Sequence, residues 1–211
     1  MIIYSRIMRK FLLNVWVLVV VMSLPVTAQN VSLPYQMNFE ENESAELNNW
    51  TLNPGANAPA LLDQWVVGKS VHSAGRQSLY ISNNGQDAMF DSVPCVQYAY
   101  RDLVLPAGTC ILTFDWLNIG IDGVATLWVG AGNMQGLTMA ANLTGAIPNT
   151  LTNPVDPALQ ALRSASGAGT WQNVNYQFVS DGVNPTRLVF VWSNKNRDRS
   201  ACTIGACIDN I

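Results

Sequence analysis

The sequence predicts an all-β protein built as two stacked antiparallel sheets, a β-sandwich. Three observations predict it. Short runs in which apolar and polar residues alternate recur along the chain, the period-two signature of half-buried strands. Gly, Pro and Asn separate those runs, as turns require. No segment sustains the three-to-four-residue apolar period of a long helix, so sheets must cover each other's apolar faces.

Taken in order, the strand-like segments are QMNFE (36–40), QWVVG (64–68), SLYIS (78–82), VQYAYRDLVL (96–105), TCILTFDWL (109–117), VATLWVG (124–130), NVNYQFV (173–179) and RLVFVW (187–192). Each is rich in aromatic and β-branched residues, which pack well on a pleated surface. In ILTFDWL, alternation puts Leu112, Phe114 and Trp116 on one face and Thr113, Asp115 and Leu117 on the other. Leu105-Pro106-Ala107-Gly108 reads as the turn between two strands, with φ preset at Pro106 and a positive φ available at Gly108. The exception is one long irregular excursion, residues 149–170, with a helical turn or two expected over Pro157–Arg163.

The N-terminus reads as an export signal. Arg9 and Lys10 precede an apolar run from Phe11 to Leu24, and Val26-Thr27-Ala28 offers a small-residue cleavage pattern. Asn14 breaks the run, which is shorter than the roughly 18 apolar residues of a spanning helix. Met8 is a possible true start. The expectation is a signal peptide over residues 1–28, a mature domain over 29–211, and a secreted or cell-surface location. Cleavage removes Arg6, Arg9 and Lys10 from the 11 Lys and Arg and none of the 14 Asp and Glu, so the mature chain is acidic. Its basic residues form no cluster beyond the alternating Lys195, Arg197 and Arg199, which excludes a phosphate-tracking nucleic-acid surface.

Cys95, Cys110, Cys202 and Cys207 are an even set in an exported chain, which suggests disulfides, with three pairings open. Zinc is disfavoured: no pair has C-x-x-C spacing and the single histidine, His72, is remote in sequence. Catalysis has little support. A nucleophile–histidine pair would have to use His72, and no G-x-S-x-G elbow is present. Asp115 and Asp122 come closest to paired acids, yet Asp115 suits a hydrogen bond within a strand and Asp122-Gly123 a hairpin turn. Among the mature tryptophans, Trp116, Trp128 and Trp192 lie in alternating strands and read as core, as tryptophan usually is. Trp50 and Trp65 flank the loop NPGANAPALLDQ and are the candidates for stacking on a sugar ring. The polar run Ser193–Arg199 reads as a loop at the sandwich edge.

Four blocks resemble, in order, the MAM and cleaved-adhesin type of domain found in surface proteins of Bacteroidetes-type bacteria. They are NFEENESAELNNWTL, GRQSLYIS, VQYAYRDLVLPAGTCILTFDW and RLVFVWSN with GACIDNI. The resemblance spans almost all of residues 33–211 and implies a jelly-roll sandwich of the galactose-binding or concanavalin-like kind. It implies a module of a longer surface polypeptide, ending at or just before its natural end. It also implies a cation between the glutamate of the FE opening and the aspartate of the closing strand, here Glu40 and Asp209. The first and last strands of a jelly roll are neighbours, and calcium takes carboxylate and carbonyl oxygens; Ser82 and Asn83 are further candidate ligands. Asp91-Ser92-Val93 resembles an O-glycan acceptor of such bacteria, whereas Asn49-Trp50-Thr51 would matter only in a eukaryotic source. The functional expectation is a non-catalytic recognition or adhesion module that binds carbohydrate or another surface protein. The alternatives are an architectural spacer and a glycan or peptide hydrolase.

Overall fold

A computed structural model describes residues 29–53, 63–91, 95–119, 125–133, 160–162, 169–194 and 204–211. The signal segment, Asp122 and Cys202 lie outside the described residues. In chain order the strands are β1 (Gln29–Asn30), β2 (Trp50–Leu52), β3 (Gln64–Gly68), β4 (Ser78–Ser82), β5 (Cys95–Val104), β6 (Gly108–Leu117), β7 (Ala125–Asn133), β8 (Gln160–Leu162), β9 (Gln172–Ser180), β10 (Thr186–Asn194) and β11 (Cys207–Asp209). A 3-10 turn over Glu41–Glu43 and a single helical turn, α1 (Ser44–Leu47), precede β2. No helix of the described residues is long and apolar enough to cross a membrane.

The strands form two antiparallel sheets, as the alternation predicts. One has the order β1-β5-β10-β7-β8, with β2 also on β5; the other has the order β3-β4-β11-β6-β9. The only parallel pairing among them is the short β1–β5 contact. The inner faces meet in a core that includes Phe39, Trp50, Trp65, Phe114, Trp116, Phe190 and Trp192. Phe114 meets Phe190 edge-on with centroids 5.0 Å apart, and Phe90 meets Trp192 at 5.3 Å. Such aromatic pairs add about 0.5–1.5 kcal/mol beyond the area they bury.

The β5–β6 turn is as read from the sequence: Gly108 has φ +133°. Leu112, Phe114 and Trp116 are buried between the sheets while Thr109, Ile111 and Thr113 face water. Trp128 is buried too, but on the other face of its sheet, with Val96, Tyr98, Val189 and Val191.

Three expectations are corrected. Gln160–Leu162 is strand, not helix: it pairs with Leu127–Val129 of β7, so the sheet edge overrides local helix propensity. Ser193 and Asn194 belong to β10, which runs beyond the expected loop start. Cys95, Cys110 and Cys207 are free thiols. Cys95 opens β5 at the end away from the turn, whereas Cys110 is the third residue of β6, beside the turn, and the strands lie in different sheets. Disulfide geometry needs Cα atoms within about 7 Å.

Candidate functional site

The segment around Met37 and the residues that follow β11 are neighbours. Met37 and Ile211 exchange two backbone hydrogen bonds, of 2.9 and 3.0 Å. Next to this rung each chain turns through a left-handed residue, Phe39 at φ +59° and Asn210 at φ +53°. Those turns aim Glu40 and Asp209 at the same loop, residues 69–77, which crosses the outer face of the β4–β11–β6 region.

Asp209 is 0% exposed and is paired with Asp115 of β6 in the ladder. One of its oxygens, Oδ2, accepts the backbone N–H of Ser73 at 2.8 Å and of Ala74 at 3.1 Å, and Oδ1 accepts that of Asn210 at 2.9 Å. This answers how a carboxylate survives among Cys207, Ile208 and Ile211: three amides take up its charge. Burial pushes its pKa up, and the amide bonds oppose that shift. Glu40 Oε1 accepts the N–H of Arg76 at 2.7 Å and of Gln77 at 3.1 Å, and these amides lower its pKa. Asp115 completes the clasp, accepting from Ser73 Oγ at 2.9 Å, Asn210 Nδ2 at 2.7 Å and Asn173 Nδ2 at 3.0 Å. Burial would raise the Asp115 pKa, yet these three donors together hold it below the usual range.

The expected cation ligands are therefore only partly brought together. Glu40 and Asp209 share a loop. Ser82 lies at the other end of β4: Ile208 registers with Leu79, so Ser82 is four residues from the level of Asp209, about 13 Å along the strand. The Ser82 hydroxyl accepts the N–H of Gly85 instead, and Asn83 Oδ1 is buried with no hydrogen-bond partner among the described residues. Among the described residues, no group of three or more His, Cys, Asp or Glu side chains is placed to hold a metal.

Trp50 and Trp65 are not platforms. Both lie in the core, at 6% and 1% exposure. Trp50 stacks on Phe190 with centroids 6.2 Å apart and donates its N–H to the Tyr35 hydroxyl, while Trp65 donates to the Gln97 carbonyl. The flanking loop suggested exposure, but β2 and β3 turn both indoles inward.

What faces solvent is a strip across β6 and β9. Registered pairs Thr109–Val179, Ile111–Gln177, Thr113–Asn175 and Asp115–Asn173 put one side chain from each strand side by side. All but the half-buried Asp115 are exposed, Ile111 to 63% and Val179 to 75%. From the turn to Thr113 and Asn175 the strip carries hydroxyls, amides and aliphatic surface, and no charge. The sequence reading passed over this row, although its signal, Asn-Val-Asn-Tyr-Gln-Phe-Val, was a plain alternation of amides with apolar residues.

No family model matches the chain, and no curated protein matches it. Among solved structures the chain is similar to the C-terminal family 22 carbohydrate-binding module of a Clostridium thermocellum protein, at 14% identity and a TM-score of 0.44, over 84% of this chain and 90% of that one. It is also similar to a cleaved adhesin domain of Lys-gingipain from Porphyromonas gingivalis, at 14% identity and a TM-score of 0.44, over 83% and 94% of the two chains. A mannan-recognising carbohydrate-binding module gives 14% identity and a TM-score of 0.41 over 83% and 92%. These likenesses concern the sandwich fold and not the site.

Proposed function

We propose that this domain is a secreted or cell-surface recognition module, non-catalytic, that binds a neutral glycan on the β6–β9 strip. The observation that supports it is the uncharged, exposed row of Thr109, Thr113, Asn175 and Gln177 beside Ile111 and Val179. Side-chain amides both donate and accept, as sugar hydroxyls do, and the aliphatic groups match the apolar faces of pyranose rings. Asp115 is committed to the clasp, where it accepts from Ser73 and Asn173, and His72 lies exposed on the loop.

The test is a glycan array probed with the exported chain, neutral and acidic polysaccharides side by side. Retention on neutral glycans supports the reading, and Asn175→Ala with Gln177→Ala should weaken it about tenfold or more, near 1.4 kcal/mol. No retention on any glycan favours the spacer role, or a protein ligand on the same surface. Turnover of a glycan or peptide would mean a hydrolase.

A structural calcium is a separate reading, supported by the convergence of Glu40 and Asp209 on one loop. The ion would draw on those two carboxylates and on carbonyl oxygens of the loop, in place of the amides they now accept. Calcium should then raise the Tm, because it binds only the folded form. Asp209→Ala should abolish that gain; an equal gain in the variant removes Asp209 from the ion.

A further inference from the structure

β9 is an edge strand with one partner. Its residues Gln172 to Ser180 register without a break against β6, and β9 ends its sheet on the other side. Among the described residues, no strand and no backbone hydrogen bond meets that other side. Edge strands are commonly guarded by charge, proline or a bulge. β9 reads Gln-Asn-Val-Asn-Tyr-Gln-Phe-Val-Ser, with no charge, no proline and no glycine. Its inward row is also incompletely covered. Leu112 and Phe114 of β6 are 5% and 0% exposed, whereas Tyr176 and Val174 beside them, and Phe178, are only half-buried. Tyr176 and Phe178 stack with centroids 6.3 Å apart, so the core ends at this rim in an aromatic margin.

We propose that β9 pairs with β9 of a second copy of this chain, antiparallel about a twofold axis through Tyr176, so that the two sheets become one. That register pairs the whole strand, and in it the strand is close to self-complementary. On the inner face Val174 meets the partner's Phe178, and Tyr176 meets the partner's Tyr176. On the outer face Asn175 meets the partner's Gln177, amide to amide, each able to donate and accept. Asn173 against the partner's Val179 is the one unlike pair. No pair sets like charges opposite each other, the usual bar to self-pairing. A segment of different sequence would need no such symmetry in β9, whereas a second copy does, and a closed twofold pair is the commonest assembly of identical chains. The contact uses the edge and inner row of β9 and does not depend on glycan binding by the outer row. The axis stands perpendicular to the sheet, so pairing would lay the uncharged strips of both copies side by side on one face.

The test is sedimentation velocity of the purified chain over roughly 1–300 μM, without glycan, with hydrogen exchange at both ends of that range. The proposal expects a monomer–dimer equilibrium. Amides of residues 172–180 should be more protected at high concentration, and those of β4, inside the same sheet, unchanged. Two variants of exposed residues read the register. Asn175→Lys with Gln177→Lys sets lysine opposite lysine across the axis and should weaken the dimer about tenfold. Asn175→Lys with Gln177→Glu sets lysine opposite glutamate and should dimerise at least as well as the unaltered chain. A monomer at every concentration would overturn the proposal. So would a dimer that both variants keep to the same extent, since it would use another face. Protection of the β9 amides that ignores concentration would overturn it too, by showing the edge covered within one chain.

Discussion

Glu40 and Asp209, far apart in sequence, grip one loop from adjacent positions: Glu40 holds the amides of Arg76 and Gln77, and Asp209 those of Ser73 and Ala74. The Met37–Glu40 segment and the Asp209–Ile211 segment are thus joined twice, by the Met37–Ile211 rung and through the loop. The loop in turn covers the outer side of β11.

Removing the Asp209 carboxylate should be costly. Asp209→Ala leaves three amides, of Ser73, Ala74 and Asn210, without an acceptor. A loss of about 3 kcal/mol is expected from orphaned donors and lost charge-assisted bonds. Chemical denaturation measures it, and protease nicking within residues 69–77 should accelerate. A loss below about 0.5 kcal/mol would mean the clasp is ornamental.

Gly75 is held at φ +62°, and a Cβ there would collide with the Glu40 carboxylate. Gly75→Ala should cost about 1–2 kcal/mol from the left-handed backbone alone, plus the displacement of Glu40. Glu40→Ala relieves the collision but not the backbone strain. The double variant should therefore be more stable than additivity predicts. Strict additivity in thermal melts would place the Glu40 side chain away from Gly75.

Arg187 and Asp102 form a buried bidentate pair, with both contacts at 2.7 Å, and the guanidinium lies 3.7 Å over the Tyr100 ring. Asp102→Ala strands a charge in the apolar layer with Tyr98 and Val189 and should cost about 3–5 kcal/mol. Asp102→Leu combined with Arg187→Met should recover much of that loss. Equal destabilisation of the single and double variants in urea melts would contradict it.

Asp63 sets a pH dependence. Its carboxylate is fully buried, accepting the Asp91 amide at 2.9 Å and the Cys95 thiol at 3.5 Å. Burial raises its pKa to about 7, with the Asp91 charge adding and the hydrogen bonds opposing. The folded value lies above the unfolded one, about 3.9. Its stabilising contribution is therefore complete below pH 4, is lost as pH rises toward 7, and changes no further above that. Asp63→Asn should flatten the stability profile between pH 4 and 7. An unchanged slope would show that another group carries it.

Where alternation was strict the sequence was legible. The split of Leu112, Phe114 and Trp116 from Thr113 and Asp115 followed from period two alone, whereas the approach of Glu40 and Asp209 was implied by the resemblance to a jelly roll and not by local pattern. Ser82 and Asn83 misled because strand register, not loop composition, decides what reaches Asp209. Trp50 and Trp65 misled because short strands bordering a polar loop give no clue to which face turns inward.

The most direct test of the recognition reading is affinity electrophoresis of the chain through gels cast with a neutral or an acidic polysaccharide, beside Asn175→Ala/Gln177→Ala at matched Tm. The account predicts retardation by a neutral polysaccharide, relief of that retardation in the variant, and no retardation by the acidic one. Retardation that the variant leaves intact, or that only the acidic gel produces, would contradict it.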